Sequence, residues 1–189
     1  MVNLFRTQFV KSAPSKKDLL TDRKQVVFLG KSNVGKSTLL NAVCNNRNLA
    51  KTSSTPGRTQ MLNYFDVEGR FYLVDAPGYG YYSDSKLDFT EMMEDYLSLG
   101  PKKIKRAYIL LDSRRKITVE DKVCINMFYN KGISIRIVYT KTDKINQKER
   151  SAAEKDALAV LPDTKILWTS SEKKIGIDYL RTDIADALE

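Results

Sequence analysis

The chain of 189 residues contains no histidine. The commonest general base is therefore missing, and any chemistry must rest on positioning and electrostatic stabilisation. Cysteine is nearly absent too. Cys44 and Cys124 stand alone in segments of helical character, which indicates neither a zinc site nor a disulfide framework. Such sparing use points to a reducing compartment, the cytoplasm. No apolar run approaches the roughly 20 residues needed to span a bilayer. The first residues, Met1-Val2-Asn3-Leu4-Phe5-Arg6, lack the apolar stretch of a signal peptide, so no membrane partner is expected. Internal repeats and low-complexity tracts are missing as well.

What is present is a globular composition, 42% hydrophobic and 29% charged, enough for one α/β domain. The net charge of +9 is unevenly placed. Residues 1–24 carry six basic and two acidic side chains, and residues 101–116 carry seven basic side chains against Asp112 alone. The rest of the chain is close to neutral. The two basic segments are either solvated surface or a patch for RNA phosphates.

The strongest local signal is Gln25-Val26-Val27-Phe28-Leu29 followed by Gly30-Lys31-Ser32-Asn33-Val34-Gly35-Lys36-Ser37-Thr38. A strand-like apolar run meets G-x-x-x-x-G-K-[ST] and then the helical Leu39-Leu40-Asn41-Ala42-Val43. Two glycines let successive N–H groups converge on an anion, and a helix N-terminus adds partial positive charge. Lys36 is positioned for the outer phosphates and Ser37 for Mg²⁺. The chain is expected to bind a nucleoside triphosphate.

Downstream, strands predicted over 61–67 and 70–74 are separated only by Glu68-Gly69, a hairpin signal. Further strands are expected over 107–111, 133–139 and 165–168. Helices are expected near 87–99, 118–130, 147–160 and 177–188, and Pro101–Lys105 reads as a basic linker. This alternation implies a mostly parallel sheet covered on both faces, with ligand loops at the C-terminal ends of its strands.

Three of those loops carry chemistry. Asp75-Ala76-Pro77-Gly78 fits D-x-x-G: Asp75 can hold Mg²⁺ through water, and the Gly78 N–H can meet a γ-phosphate. Alone it is an ordinary turn; its place after a Walker loop and a hairpin gives it meaning. Thr140-Lys141-Thr142-Asp143 fits [NT]-K-x-D, in which Asp143 accepts paired hydrogen bonds from guanine and the Lys141 stem covers the base. Ser170-Ser171, after the last strand, can offer backbone N–H groups to the guanine carbonyl. The polar stretch from Asn48 to Gln60 reads as a mobile loop in which Thr59, with Thr55 as competitor, can coordinate Mg²⁺ and sense the γ-phosphate.

Together, G-K-S-N-V-G-K-S-T, T-P-G-R-T-Q, D-A-P-G-Y-G, T-K-T-D and the terminal S-S resemble the EngB (YihA/YsxC) family of bacterial ribosome-assembly GTPases. The resemblance covers nearly the whole chain, including the Phe9–Ala13 lead-in and Leu111-Asp112-Ser113-Arg114. It implies a P-loop GTPase fold: three-layer α/β/α, with a six-stranded, mostly parallel sheet and one antiparallel edge strand. Residues 25–189 would form the GTPase domain, with 1–24 packed on it as a basic lead-in. The implied phosphate site is Gly30, Lys31, Ser32, Asn33, Val34, Gly35, Lys36, Ser37 and Thr38. Gly57, Arg58, Thr59, Gln60 and Met61, with Asp75, Ala76, Pro77 and Gly78, would flank the γ-phosphate. Thr140, Lys141, Thr142, Asp143, Ser170 and Ser171 would hold guanine. Ser37 and Thr59 are the implied Mg²⁺ ligands, and Lys36, Thr59 and Gly78 the implied catalytic groups. The implied role is in large-ribosomal-subunit maturation and in normal cell division and septation. The partners would be a subunit precursor with its rRNA and ribosomal proteins, and the protein is expected to act as a monomer.

Two departures from the wider GTPase pattern matter. Tyr79 follows Gly78 where signalling GTPases carry a water-orienting glutamine, so intrinsic hydrolysis is expected to be slow, on the order of 10⁻⁴ to 10⁻² s⁻¹. Thr140 replaces the usual asparagine. Asn33 occupies the position that helps hold K⁺ in related cation-dependent GTPases and is a candidate K⁺ ligand here. The competing functions are a nucleotide kinase or ATPase, which T-K-T-D argues against, and an rRNA-binding module whose nucleotide site is only structural.

Overall fold

The computed structural model describes residues 2–50, 61–80 and 85–189. The central strand, β2 (Lys24–Gly30), is buried along almost its whole length. It reads as a continuous apolar run because both of its faces are covered. After it, α1 (Lys36–Val43) begins directly at Lys36. The predicted hairpin forms as β3 (Leu62–Val67) and β4 (Phe71–Asp75). Glu68 and Gly69 both have positive φ in the turn between them, the twist a tight hairpin requires. Then come α2 (Ser85–Leu97), the short α3 (Gly100–Lys103), β5 (Ile104–Asp112), α4 (Val119–Tyr129), β6 (Ile135–Thr140), α5 (Gln147–Val160), β7 (Lys165–Trp168) and α6 (Ile177–Leu188). The expected linker at Pro101–Lys105 is instead α3 and the first residues of β5. Pro101 sits in the first turn of α3, where its missing N–H removes no bond.

Among the described residues the sheet has seven strands rather than six. Thr7–Ala13, expected as an extended lead-in, is a strand, β1, and the order is β1-β3-β4-β2-β5-β6-β7. β1 pairs antiparallel with β3 from Thr7 opposite Val67 to Ala13 opposite Leu62, with a bulge between Phe9 and Lys11. It supplies partners for the outer N–H and C=O groups of β3, and Phe9 meets Phe65 edge-on at 5.8 Å. The antiparallel strand is therefore β3, one place in from the edge. The remaining pairs, from β4 through β7, are parallel.

Alternating residues feed two apolar layers. Val27, Leu29, Ile109 and Leu111 pack with Met93 and Tyr96 of α2, Ile125 and Phe128 of α4 and Ala157 of α5. Val26, Phe28, Tyr108 and Leu110 pack with Leu39 and Leu40 of α1 and Leu180 and Ile184 of α6. Phe28 and Tyr108, opposite each other on β2 and β5, stack at 4.9 Å. The second layer also encloses a charge: Asp183 of α6, 3% exposed, accepts from Arg106, Tyr108, Arg136 and Lys165 at 2.6–3.2 Å.

Parallel strands bring their C-terminal ends to one edge of the sheet, so Gly30, Asp75, Asp112, Thr140 and Trp168 all open onto it. The same geometry divides the basic block at 101–116. Lys102, Lys103 and Lys105 lie at the start of β5, and Arg114, Arg115 and Lys116 lie beyond its end. Nine residues of extended chain, roughly 30 Å, separate them. The block is two surfaces at opposite ends of the molecule, not one.

Candidate functional site

The phosphate loop is built from backbone conformations that few residues adopt. Asn33 has φ 64° and Gly35 φ 101°. Gly35 is the N-cap of α1 and has no side chain with which to cap the first-turn N–H groups, which an α-helix leaves without internal partners. That end of α1 has the geometry and polarity of an anion site. Lys36 and Ser37 stand in the same turn. The Lys36 ammonium is paired directly with the Asp75 carboxylate at the end of β4, both side chains nearly buried.

The D-x-x-G loop is laid alongside the phosphate loop. Ala76 N donates to the Phe28 carbonyl (3.0 Å), Tyr79 N to Gly30 O (3.3 Å), and Ser32 N to Tyr79 O (3.2 Å). Gly78 suits this approach, because a Cβ there would lie 2.8 Å from Ser32 Oγ and crowd its backbone N at 3.2 Å. Tyr79 points the other way. It is 6% exposed and its hydroxyl donates to Asp121 Oδ1 at 2.9 Å. Burial first, then the neighbouring acidic groups, push its phenol far above the ordinary range. Asp121 uses its other oxygen to cap α4, accepting from the backbone N (2.8 Å) and hydroxyl (2.9 Å) of Thr118. Next to it, Glu120 pairs with Lys31 of the phosphate loop at 3.3 Å. Neither contact was foreseen from the sequence, although Thr118-x-x-Asp121 is a readable capping pattern.

The T-K-T-D loop is bolted to the same phosphate loop. Thr140 Oγ1 donates to the Val34 carbonyl at 2.7 Å, so threonine does at this position a tethering job between the two loops. Lys141 has φ 57°, and its ammonium donates to Asn33 O (2.9 Å) and Asp112 Oδ2 (3.0 Å). Thr142 N donates to Thr169 O at 3.2 Å, which joins the loop to the segment after β7. Asp143 is largely enclosed. The Ser170 hydroxyl, and after it the Lys144 ammonium, hold its carboxyl below the usual range against the effect of burial. Its Oδ2 has the Lys144 ammonium 3.1 Å away as an ion pair, and among the described residues neither that oxygen nor the buried Thr142 Oγ1 has a hydrogen-bond partner. Buried polar atoms without such a bond call for a partner. Ser170 N is spent on Ile175 O (3.0 Å), so of the serine pair only Ser171 has its backbone N–H outside that bridge.

Of the other expected site residues, Met61 precedes β3 at the surface. Thr55, Gly57, Arg58, Thr59 and Gln60 lie outside the described residues. Ser37 and Asp75 offer a hydroxyl and a carboxylate, hard oxygen donors of the class Mg²⁺ takes. The Lys36–Asp75 pair brings that carboxylate against the turn that carries Ser37. The donor set fits Mg²⁺. Among the described residues no group of three or more His, Cys, Asp or Glu side chains could hold a metal elsewhere.

Comparison with known proteins agrees with this geometry. A family model described as 50S ribosome-binding GTPase matches residues 25–141. A relative from Cereibacter sphaeroides, described as probable GTP-binding protein EngB, is 40% identical over 174 residues, 87% of this chain and 79% of its own. One of the same description from Clostridium beijerinckii is 39% identical over 182 residues, 93% and 91% of the two chains. Among solved structures, the crystal structure of a probable GTP-binding protein engB superposes with TM-score 0.68 at 19% identity, over 87% of this chain and 98% of its own. Era in complex with MgGDPNP and a segment of 16S ribosomal RNA gives 0.66 at 20% identity, over 90% and 58%. At these identities the structural likeness shows the P-loop GTPase fold alone. Matched by the family model over more than half its length, and at close to 40% identity by relatives it spans for most of theirs, the chain belongs to the EngB group of the 50S ribosome-binding GTPases, enzymes that hydrolyse GTP.

Proposed function

We propose that this GTPase is a slow assembly switch in the biogenesis of the large ribosomal subunit, required for normal cell division and septation. In the GTP-bound form it would dock on a subunit precursor through rRNA and ribosomal proteins, and hydrolysis would release it. Support for the partner comes from the family description, 50S ribosome-binding GTPase, and from the unbalanced positive charge of the chain. The Era structure with a 16S rRNA segment is a precedent for RNA association on this fold. The place of action is then the cytoplasm, with the protein acting as a monomer. Residues 25–189 would form the GTPase domain, with the basic segment 1–24 packed on it; the β1–β3 pairing favours this.

In this reading the first turn of α1 and Gly30–Thr38 cradle the phosphates, and Lys36 exchanges Asp75 for the outer phosphates when nucleotide enters. Gly57–Met61 and Asp75–Gly78 flank the γ-phosphate, so Lys36, Thr59 and Gly78 are the groups that touch the transferred phosphoryl. Ser37 and Thr59, with Asp75 through water, would hold Mg²⁺, which when bound neutralises charge on the β- and γ-phosphates. Asp143 reads guanine by accepting from its N1–H and N2–H₂, with Thr140, Lys141, Thr142, Ser170 and Ser171 around the base. The observation that supports guanine over adenine is the Asp143 carboxylate, whose buried Oδ2 is ion-paired with Lys144 but, among the described residues, accepts no hydrogen bond. Slow turnover is supported by Tyr79, whose side chain is engaged beneath α4. Asn33 is the proposed K⁺ ligand.

Co-sedimentation with ribosomal subunits tests the role directly. With a non-hydrolysable GTP analogue the protein should pellet with large-subunit particles and with GDP it should not; equal pelleting in both states would overturn the switch.

A further inference from the structure

Beyond the loops discussed so far, one buried carboxylate stands behind the base site. Asp112 ends β5, with its side chain 8% exposed. One face of it is gripped by Arg114: the guanidinium Nε and NH2 donate to its two oxygens at 2.9 and 2.7 Å, and Arg114 N donates at 3.1 Å. The other face receives the Lys141 ammonium at 3.0 Å. Burial disfavours the charge, but the Arg114 guanidinium and the Lys141 ammonium outweigh it and hold the Asp112 carboxyl well below the usual range. It is therefore a permanent anion at neutral pH. The next residue, Ser113, donates its hydroxyl to the Lys141 carbonyl at 3.1 Å. Lys141 is thus held at both ends by the end of β5, with its four-carbon stem stretched between.

We infer that Asp112 is a positioning residue for nucleotide binding: it fixes the Lys141 ammonium against the phosphate loop, so that the stem is already extended along the base site before nucleotide arrives. This rests on the reading of Lys141 as the residue that covers the base. A lysine side chain has many rotamers, and ordering it at the moment of binding weakens affinity; a preformed anchor removes that cost. The alternative is that Asp112 only shapes its own turn, through Arg114 N and the guanidinium fork. That role would act on folding and would not involve Lys141.

A double-mutant cycle on the full chain separates the two, with fluorescent GDP as probe and urea unfolding in parallel. Asp112→Ala should weaken GDP binding about tenfold, the scale of one immobilised long side chain. In a Lys141→Ala background the same change should alter affinity less than twofold. Asp112→Asn keeps the shape and one acceptor, and should fall between wild type and Asp112→Ala in affinity; it carries the cycle if the alanine variant does not fold. Equal losses of GDP affinity in both backgrounds would overturn the proposal, as would unchanged affinity in the wild-type background. If Lys141→Ala alone leaves GDP affinity intact, the reading of Lys141 fails first. That result is distinguishable because Asp112 is untouched in it.

Discussion

The Tyr79 hydroxyl is 2.9 Å from Asp121 Oδ1, so the residue that follows Gly78 is tied to the first turn of α4 rather than turned towards the phosphate site. The aromatic ring lies in the layer that also holds Phe89 and Ile125. Removing only the hydroxyl should therefore act on stability. Tyr79→Phe should lower unfolding free energy by about 1–2 kcal/mol, because Asp121 loses one donor but keeps Thr118. Single-turnover GTP hydrolysis should stay within about twofold, whereas a direct role of the phenol in the reaction would show as a drop of at least about a hundredfold.

Base selection should follow Asp143. Asp143→Asn replaces an acceptor with a donor opposite the guanine N–H groups. GTP affinity should fall by at least about a hundredfold while xanthosine triphosphate binds better than GTP, as competition against fluorescent GDP would measure. Retained GTP preference would move the base site elsewhere.

Asn33 is exposed on the phosphate loop, and its carbonyl is engaged by Lys141. Hydrolysis measured at equal ionic strength should be faster in KCl than in NaCl, and Asn33→Ala should abolish the difference while leaving the NaCl rate within about threefold. The physical reason is that a second cation can supply charge that an arginine finger supplies in other GTPases. Identical rates in the two salts would remove the cation from the mechanism.

Lys102, Lys103 and Lys105 lie at the far end of β5 from the nucleotide loops. Reversing all three to glutamate should weaken binding to ribosomal RNA and flatten its dependence on log salt by about two to three units, with unchanged GDP affinity. A salt slope equal to that of the wild type would assign RNA contact to other cations, among them Arg114, Arg115 and Lys116 at the opposite end.

Asp183 is the shared counter-ion of the enclosed Arg106, of Arg136 and of the more exposed Lys165. Asp183→Ala should destabilise the fold by about 3–5 kcal/mol, since Arg106 is left enclosed without its counter-ion. Burial works against the Asp183 charge, but Arg106 and Arg136 lower its folded-state pKa below the unfolded 3.8. Its contribution is therefore complete above that value and is lost as pH falls through it and below. Urea midpoints should decline on acidification below about pH 4 in the wild type and less steeply in the alanine variant.

Much of the candidate site was legible because its motifs are contiguous. Gly30–Ser37, Asp75–Gly78 and Thr140–Asp143 each pack their chemistry into four to eight residues, and the apolar runs of β2, β5 and β6 place them at strand ends. What escaped is what depends on distant partners. β1 reads Thr-Gln-Phe-Val-Lys-Ser-Ala, with most of its middle exposed, and earns its strand geometry only by pairing with residues 62–67. The charge run at 101–116 looked like one block because sequence distance hides the length of an extended strand. Asp121 and Glu120 were ordinary acidic residues, and Asp112 a motif position without a partner, until the fold set Tyr79, Lys31 and Lys141 beside them.

The β1–β3 pairing has a consequence for handling the protein. Without residues 7–13, the row of backbone groups along β3, flanked by Tyr64 and Phe65, would become the open margin of the sheet and a template for self-association. β1 is poorly suited to that misuse itself: it is kinked by its bulge and carries Lys11 just beyond it. The first strand thus acts as a protective selvedge, and trimming it to reach a minimal GTPase would exchange a blunted margin for an adhesive one.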